Sequence, residues 1–284
     1  MTHAGAAFDA FEPGARAASA SQASWQEGDG ALPSIFLSHG APPLFDDGGW
    51  MDELLKWSTS MPKPKGIVIL SAHWESAPIM VAAVGPQTGL VYDFGGFAPR
   101  YFNMQYATPD AGWLGKEVTS RLSALGTVHE SNRGLDHGAW VPLKVMYPLA
   151  DVPVVQVSLP TERPEYLMAL GEKLRDLREQ GVLVIGSGFM THGLPFLTRE
   201  MMSGHVPSWS SDFDSWAWEA LQRGDVETLS AFRSAAPGMP YSHPTVEHFT
   251  PLFVALGAAS DPASARSVIG GAMWGLSRRS VQFA

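Results

Sequence analysis

The chain has 284 residues, 45% of them hydrophobic and 11% aromatic, enough to bury a large core as one domain. A formal net charge of -9 disfavours a nucleic-acid partner, because a chain of that balance is not built to neutralise phosphates. There is no cysteine, which excludes disulfides and thiolate metal sites, so any metal must be held by His, Asp or Glu.

Residues 1–31 are rich in Ala, Ser and Gly and have no continuous apolar centre; we read them as a loosely structured, flexible extension before a domain over 32–284. Asp9 and Glu12 make this stretch a poor secretory or transit signal. No apolar run approaches the roughly 20 residues of a membrane helix. A cytoplasmic protein with no membrane partner is the expectation, and the absence of cysteine suits a reducing compartment.

From there strand and helix signals alternate. "SIFLSH" (34–39) is a short apolar strand, "MDELLKWST" (51–59) a helix, "GIVILSAH" (66–73) a buried strand and "PIMVAAV" (78–84) another. Thr108-Pro109-Asp110 predicts a helix start. "VPVVQVSL" (152–159) is a strand. In 161–181, Leu167, Leu170, Leu174 and Leu177 fall at helical spacing before Gly181. "VLVIGSG" (182–188) is a strand, 208–233 reads as two helices around Gly224, and the end as two closing strands. Such alternation predicts a single α/β domain with a central, mostly parallel sheet flanked by helices. No P-loop, strand-linked GxGxxG or GxSxG elbow is present, so nucleotide binding and a serine-hydrolase elbow are unsupported.

The histidines carry the chemistry. His39 and His73 close two strands and His192 follows a third; in a parallel sheet such ends line one edge, where ligands bind. His137 and His248 each precede a helix-like run. One histidine at a strand end is usually structural, but three at one edge, flanked by Ser, Ala or Gly, suit an Fe(II) or Zn(II) site. Glu75 and Glu247 adjoin proposed ligands, either as carboxylate ligands or as acceptors for a ring N–H. His3, His129 and His205 are assigned no role, and His243 a structural or supporting one. Trp74, Phe94, Phe97, Tyr101 and Trp140 are more often core than pocket, but their closeness to the histidines makes some of them, Trp74, Phe97 and Trp140 foremost, candidates to line a flat aromatic substrate pocket.

The ordered motifs "LSHGAP", "SAHWE", "YDFGGF", "LDHGAW", "PVVQVSL", "GSGFMTHGL" and "HPTVEHFTPL" resemble the class III extradiol ring-cleaving dioxygenases of the LigB superfamily, nearest the 4,5-DOPA extradiol type. The resemblance covers about residues 33–284. It implies a single α/β domain, metal ligands at His39, His73 and His248, an acid/base at His192 that also approaches the metal as a fourth ligand, and an active-site His137 near substrate and oxygen. Distant branches complete the site with a glutamate; here a histidine stands at that position. It further implies Fe(II) for activity, with Zn(II) suiting the same site, and a small aromatic diol and O2 as reactants. Gly193 stands where this branch leads one to expect asparagine, and the N-terminal extension is longer than usual. A zinc hydrolase and a non-catalytic binding protein on the same scaffold are the alternative readings. Monomer and homodimer are both left open.

Overall fold

A computed structural model describes residues 3–82 and 85–284. In chain order the helices are α1 (Ala6–Ser21), α2 (Gly48–Thr59), α3 (Gly112–Leu122), α4 (His137–Met146), α5 (Pro164–Leu174), α6 (Arg199–Met202), α7 (Ser208–Gln222), α8 (Val226–Ser230), α9 (Phe232–Ala235) and α10 (Pro251–Ala258). The strands are β1 (Ser34–Ser38), β2 (Gly66–Glu75), β3 (Ile79–Ala82), β4 (Val128–Ser131), β5 (Val154–Leu159), β6 (Val182–Gly188), β7 (Arg266–Ile269), β8 (Ala272–Met273), β9 (Leu276–Ser277) and β10 (Ser280–Phe283).

Among the described residues, one large sheet has the order β4-β3-β5-β2-β6-β1-β10-β7, and β8 and β9 form a separate hairpin. The central four strands, β5, β2, β6 and β1, are parallel to one another. On one flank β3 joins β5 antiparallel and carries β4; on the other β10 joins β1 antiparallel. The alternation of side chains along a strand divides the core between the two faces. Ile35, Leu37, Ile67, Ile69, Leu183 and Ile185 pack on the face covered by α1, α2 and α4; Phe36, Val68, Leu70, Val182 and Val184 pack on the face covered by α3, α5, α7 and α10. Apolar side chains on both faces explain why these strands read as continuous apolar runs. No helix among the described residues is long and apolar enough to cross a membrane.

Several expectations are corrected. The flexible extension over 1–31 is instead largely helical: α1 buries Phe8, Ala15 and Ser19, and Trp25 lies in the core. Its small residues conceal an apolar face that becomes visible only once the rest of the protein covers it. The helix expected at Thr108 begins at Gly112; Thr108 is buried, and Asp110 Oδ1 accepts from the Gly112 N–H at 2.9 Å. The 161–181 helix is α5 followed by a tighter 3-10 turn over Arg175–Gln180, and Gly181 ends it at φ 80°. The strand expected over 78–84 is β3; its last two positions, 83 and 84, lie outside the described residues. The chain end holds four short strands rather than two.

Candidate metal centre

The parallel arrangement of β1, β2 and β6 sends their carboxyl ends to one edge. His39 directly follows β1, and its N–H still donates to the Gly188 carbonyl at 3.0 Å. His73 lies within β2, where the register with β5 shifts between Leu70 and Glu75. A bulge of this kind re-aims side chains beside a site. His248 arrives from the turn before α10, its carbonyl accepting from the Phe189 N–H at 2.8 Å. Gly188 permits that approach, because a Cβ there would collide with the His248 carbonyl.

The three rings converge. His73 Nε2 lies 3.1 Å from His39 Nε2 and 3.3 Å from His248 Nε2. The opposite ring edges are anchored. Glu247 Oε1 accepts from the His248 Nδ1–H at 2.8 Å. Ser187 donates its hydroxyl to the Gly138 carbonyl, so its oxygen serves as acceptor for the His39 Nδ1–H at 3.0 Å. His73 Nδ1 faces Asp93 Oδ2 at 3.6 Å. With protons on the Nδ1 side, Nε2 lone pairs point at one another with no donor between them. Two imidazoles on one metal at about 2.1 Å stand about 3.0–3.4 Å apart, so the donor set fits a divalent cation. Glu247 thus accepts a ring N–H, as one of its two sequence readings has it, and Glu75 is exposed.

Burial is the main cause that holds the His39 and His248 imidazoles well below their ordinary range and pushes His73 to about 3. Burial also pushes His192 to about 4. The neutral ring is the ligating form.

His137, the first residue of α4, is tied to Asp93 twice: its Nδ1–H donates to Asp93 Oδ1 at 2.8 Å and its backbone N–H to the same oxygen at 3.1 Å. Burial alone would raise the Asp93 carboxyl, but the His137 contacts hold it below the usual range. His192 stands outside the three-nitrogen cluster. Its ring stacks on that of His248, centroids 3.4 Å apart and planes 12° apart, and it borders the cavity. Next to it Gly193 is packed so closely that a Cβ would lie 2.6 Å from Trp209 Cη2, so no larger side chain fits beside His192.

A cavity of about 410 Å³ opens in front of His39, His73, His137 and His192. Phe97 lines it, but Trp74 and Trp140 do not. That expectation is corrected. Trp74, next to His73 on β2, lies under the guanidinium of Arg133, in accord with strand alternation. Trp140, one turn into α4 from His137, is fully buried against Phe45, Tyr92 and Phe94. The wall is completed by Phe94, one of the aromatics singled out in the sequence, and by Phe189, Leu194, Leu197, Met273, Trp274 and Leu276, which the sequence reading missed. Trp274 and Gly275 form the turn of the β8–β9 hairpin. Both residues have positive φ, 51° and 74°, as a two-residue turn between paired Met273 and Leu276 requires. His243 donates its Nε2–H to the Met190 carbonyl at 2.9 Å and borders no part of the cavity.

The profile of the LigB family, described as the catalytic LigB subunit of aromatic ring-opening dioxygenase, matches residues 36–271. The chain belongs to the LigB family. It is 38% identical over 248 residues to the "4,5-DOPA dioxygenase extradiol" of Beta vulgaris, covering 84% of this chain and 91% of that relative. The protein of the same name from Escherichia coli (strain K12) is 32% identical, covering 80% and 85%. The crystal structure of an uncharacterized protein from Escherichia coli K12 superposes with a TM-score of 0.74 at 29% identity, covering 89% of this chain and 100% of that one. By this kinship the LigB member described here is an extradiol ring-opening dioxygenase. The matched segment of the LigB domain carries all five site histidines, and α1 lies outside it.

Proposed function

We propose that this protein opens the ring of a catechol-type diol with molecular oxygen, at a metal held by His39, His73 and His248. The convergence of three Nε2 lone pairs on one point, two from buried rings and one from the half-buried His73, carries this reading, and family membership agrees with it. We assign Fe(II) to the working site, and the same donors also suit Zn(II). When bound, Fe(II) supplies the redox coupling between an electron-rich diolate and O2 that no side chain here provides.

The remaining residues orient the substrate and move its protons. His192 borders the cavity and is held neutral by burial, so it accepts the proton of a diol hydroxyl and returns it later to the opening product. Asp93 fixes the tautomer of His137, leaving Nε2 as an acceptor for a substrate hydroxyl. Phe94, Phe97 and Phe189 cover the ring and exclude water from the reacting face. Neither a zinc hydrolase nor a non-catalytic role is favoured by the family membership.

The test is anaerobic loading with Fe(II), metal analysis, and a panel of catechols followed by oxygen electrode and product absorbance. One metal per chain and stoichiometric oxygen uptake with a yellow ring-opened product are expected. Turnover independent of oxygen would sink the proposal.

A further inference from the structure

Among the described residues, the cavity lining holds no lysine or arginine and one carboxylate, Asp93. Asp93 is already engaged by the ring and backbone N–H of His137. The wall away from the histidines is apolar, with Phe97, Leu197, Met273 and Trp274 prominent. Trp274 is held there by a positive φ of 51°, which a bulky residue rarely adopts, and such an outlier beside a cavity points to function.

The apolar character continues outward. Leu194 lines the cavity and is 44% exposed; Phe196, two residues on, and Tyr241, whose carbonyl packs against Gly193, are 37% and 50% exposed and meet edge to face at 4.8 Å. Exposed apolar residues gathered around an opening mark a surface that meets an apolar ligand. Gly193 adds no polar group beside His192, and nothing larger fits there.

A substituent on the diol ring must lie against this wall or cross this mouth. A carboxylate placed there loses water and meets no cation, and an ammonium meets only Asp93, whose Oδ1 already accepts two hydrogen bonds from His137. An alkyl or aryl group gains by leaving water. We propose that the site takes catechols whose substituent is apolar and uncharged, and discriminates against those bearing a carboxylate or ammonium group. This rests on the ring-opening reading above and narrows its substrate class. It also separates this chain from the substrate in the names of its relatives, since DOPA carries both charges.

The experiment uses the full-length, Fe(II)-loaded protein. Oxygen uptake is measured with 4-methylcatechol, 4-tert-butylcatechol and 3-phenylcatechol, and against them 3,4-dihydroxybenzoate, L-DOPA and dopamine. The uncharged set is expected to show kcat/KM about tenfold or more higher, with most of the difference in KM. Equal or higher kcat/KM for a charged catechol overturns the proposal and leaves ring opening standing. No uptake with any of the six overturns the ring-opening reading, and this proposal with it. A second arm places a cation at the exposed mouth. Leu194→Arg, with folding checked by thermal melt, is expected to raise the ratio of kcat/KM for 3,4-dihydroxybenzoate over 4-methylcatechol about tenfold. An unchanged ratio in the folded variant counts against the missing cation as the source of selectivity and overturns the proposal.

Discussion

Three imidazole lone pairs facing one another in a buried space repel unless a cation lies between them. His39, His73 and His248 are held in that arrangement by Ser187, Asp93 and Glu247 behind them. Removing any one ring is therefore expected to empty the site: His39→Ala, His73→Ala or His248→Ala should lose bound metal and turnover together, by metal analysis of the purified protein. His137→Ala and His192→Ala should keep their metal and lose about 10²–10⁴ in kcat, the range of a lost acid/base. Glu247→Gln preserves shape but removes the carboxylate that orients His248. Metal affinity should fall about 10–100-fold, measured by competition with a chelator. Gly138 packs directly against two of these rings. A Cβ there would stand 3.0 Å from His73 Cδ2 and 3.2 Å from His39 Cε1, and would also meet Ser71 Oγ. Gly138→Ala should thus weaken metal binding, with thermal stability reported alongside to separate the two effects.

Among the elements, β2 and α1 do the most to shape the site. The register shift in β2 turns His73 toward His39 and His248, while its earlier residues stay in a regular parallel ladder. Helix α1 supports the segment that carries Asp93, Phe94 and Phe97. Phe8 packs on Phe45, ring centroids 4.9 Å apart, and Phe45 stacks on Tyr101 and Trp140. Asp9 accepts from both terminal nitrogens of Arg100, and Tyr101 donates to Asp46. Phe8→Ala should cost about 3–5 kcal/mol by urea unfolding, the range for an emptied aromatic site. Faster proteolytic cleavage within 92–106 should accompany it. Unchanged cleavage there would mean that α1 stabilises the domain without holding this loop.

Across the whole molecule, the parallel centre of the sheet is what gathers residues as distant in sequence as His39 and His248. Arg178 ties that centre together from the opposite end. Buried to 2% exposure, it donates to the carbonyls of Leu32, Ala258 and Ala284, joining the entry to β1, the end of α10 and the chain terminus. Arg178→Leu leaves buried carbonyls without donors and should cost about 2–4 kcal/mol, seen as a lower urea midpoint with metal content per folded chain unchanged.

Periodicity and residue type along the chain were sufficient for the α/β class and the central strands, because a strand buried on both faces must be apolar throughout. They also marked His39, His73, His137, His192 and His248, since polar rings ending apolar strands or opening helices stand out locally. The support for those rings was partly legible: Glu247 adjoins its histidine, whereas Asp93 and Ser187 lie 44 and 148 residues from theirs. Trp74 and Trp140 were near the histidines in sequence but face elsewhere, because strand alternation and helical rotation set direction independently of proximity. The apolar wall, with Trp274 in a hairpin turn, and the packing of α1 were decided by tertiary structure alone. Both depend on contacts between distant segments, and no local pattern records which apolar residue meets which.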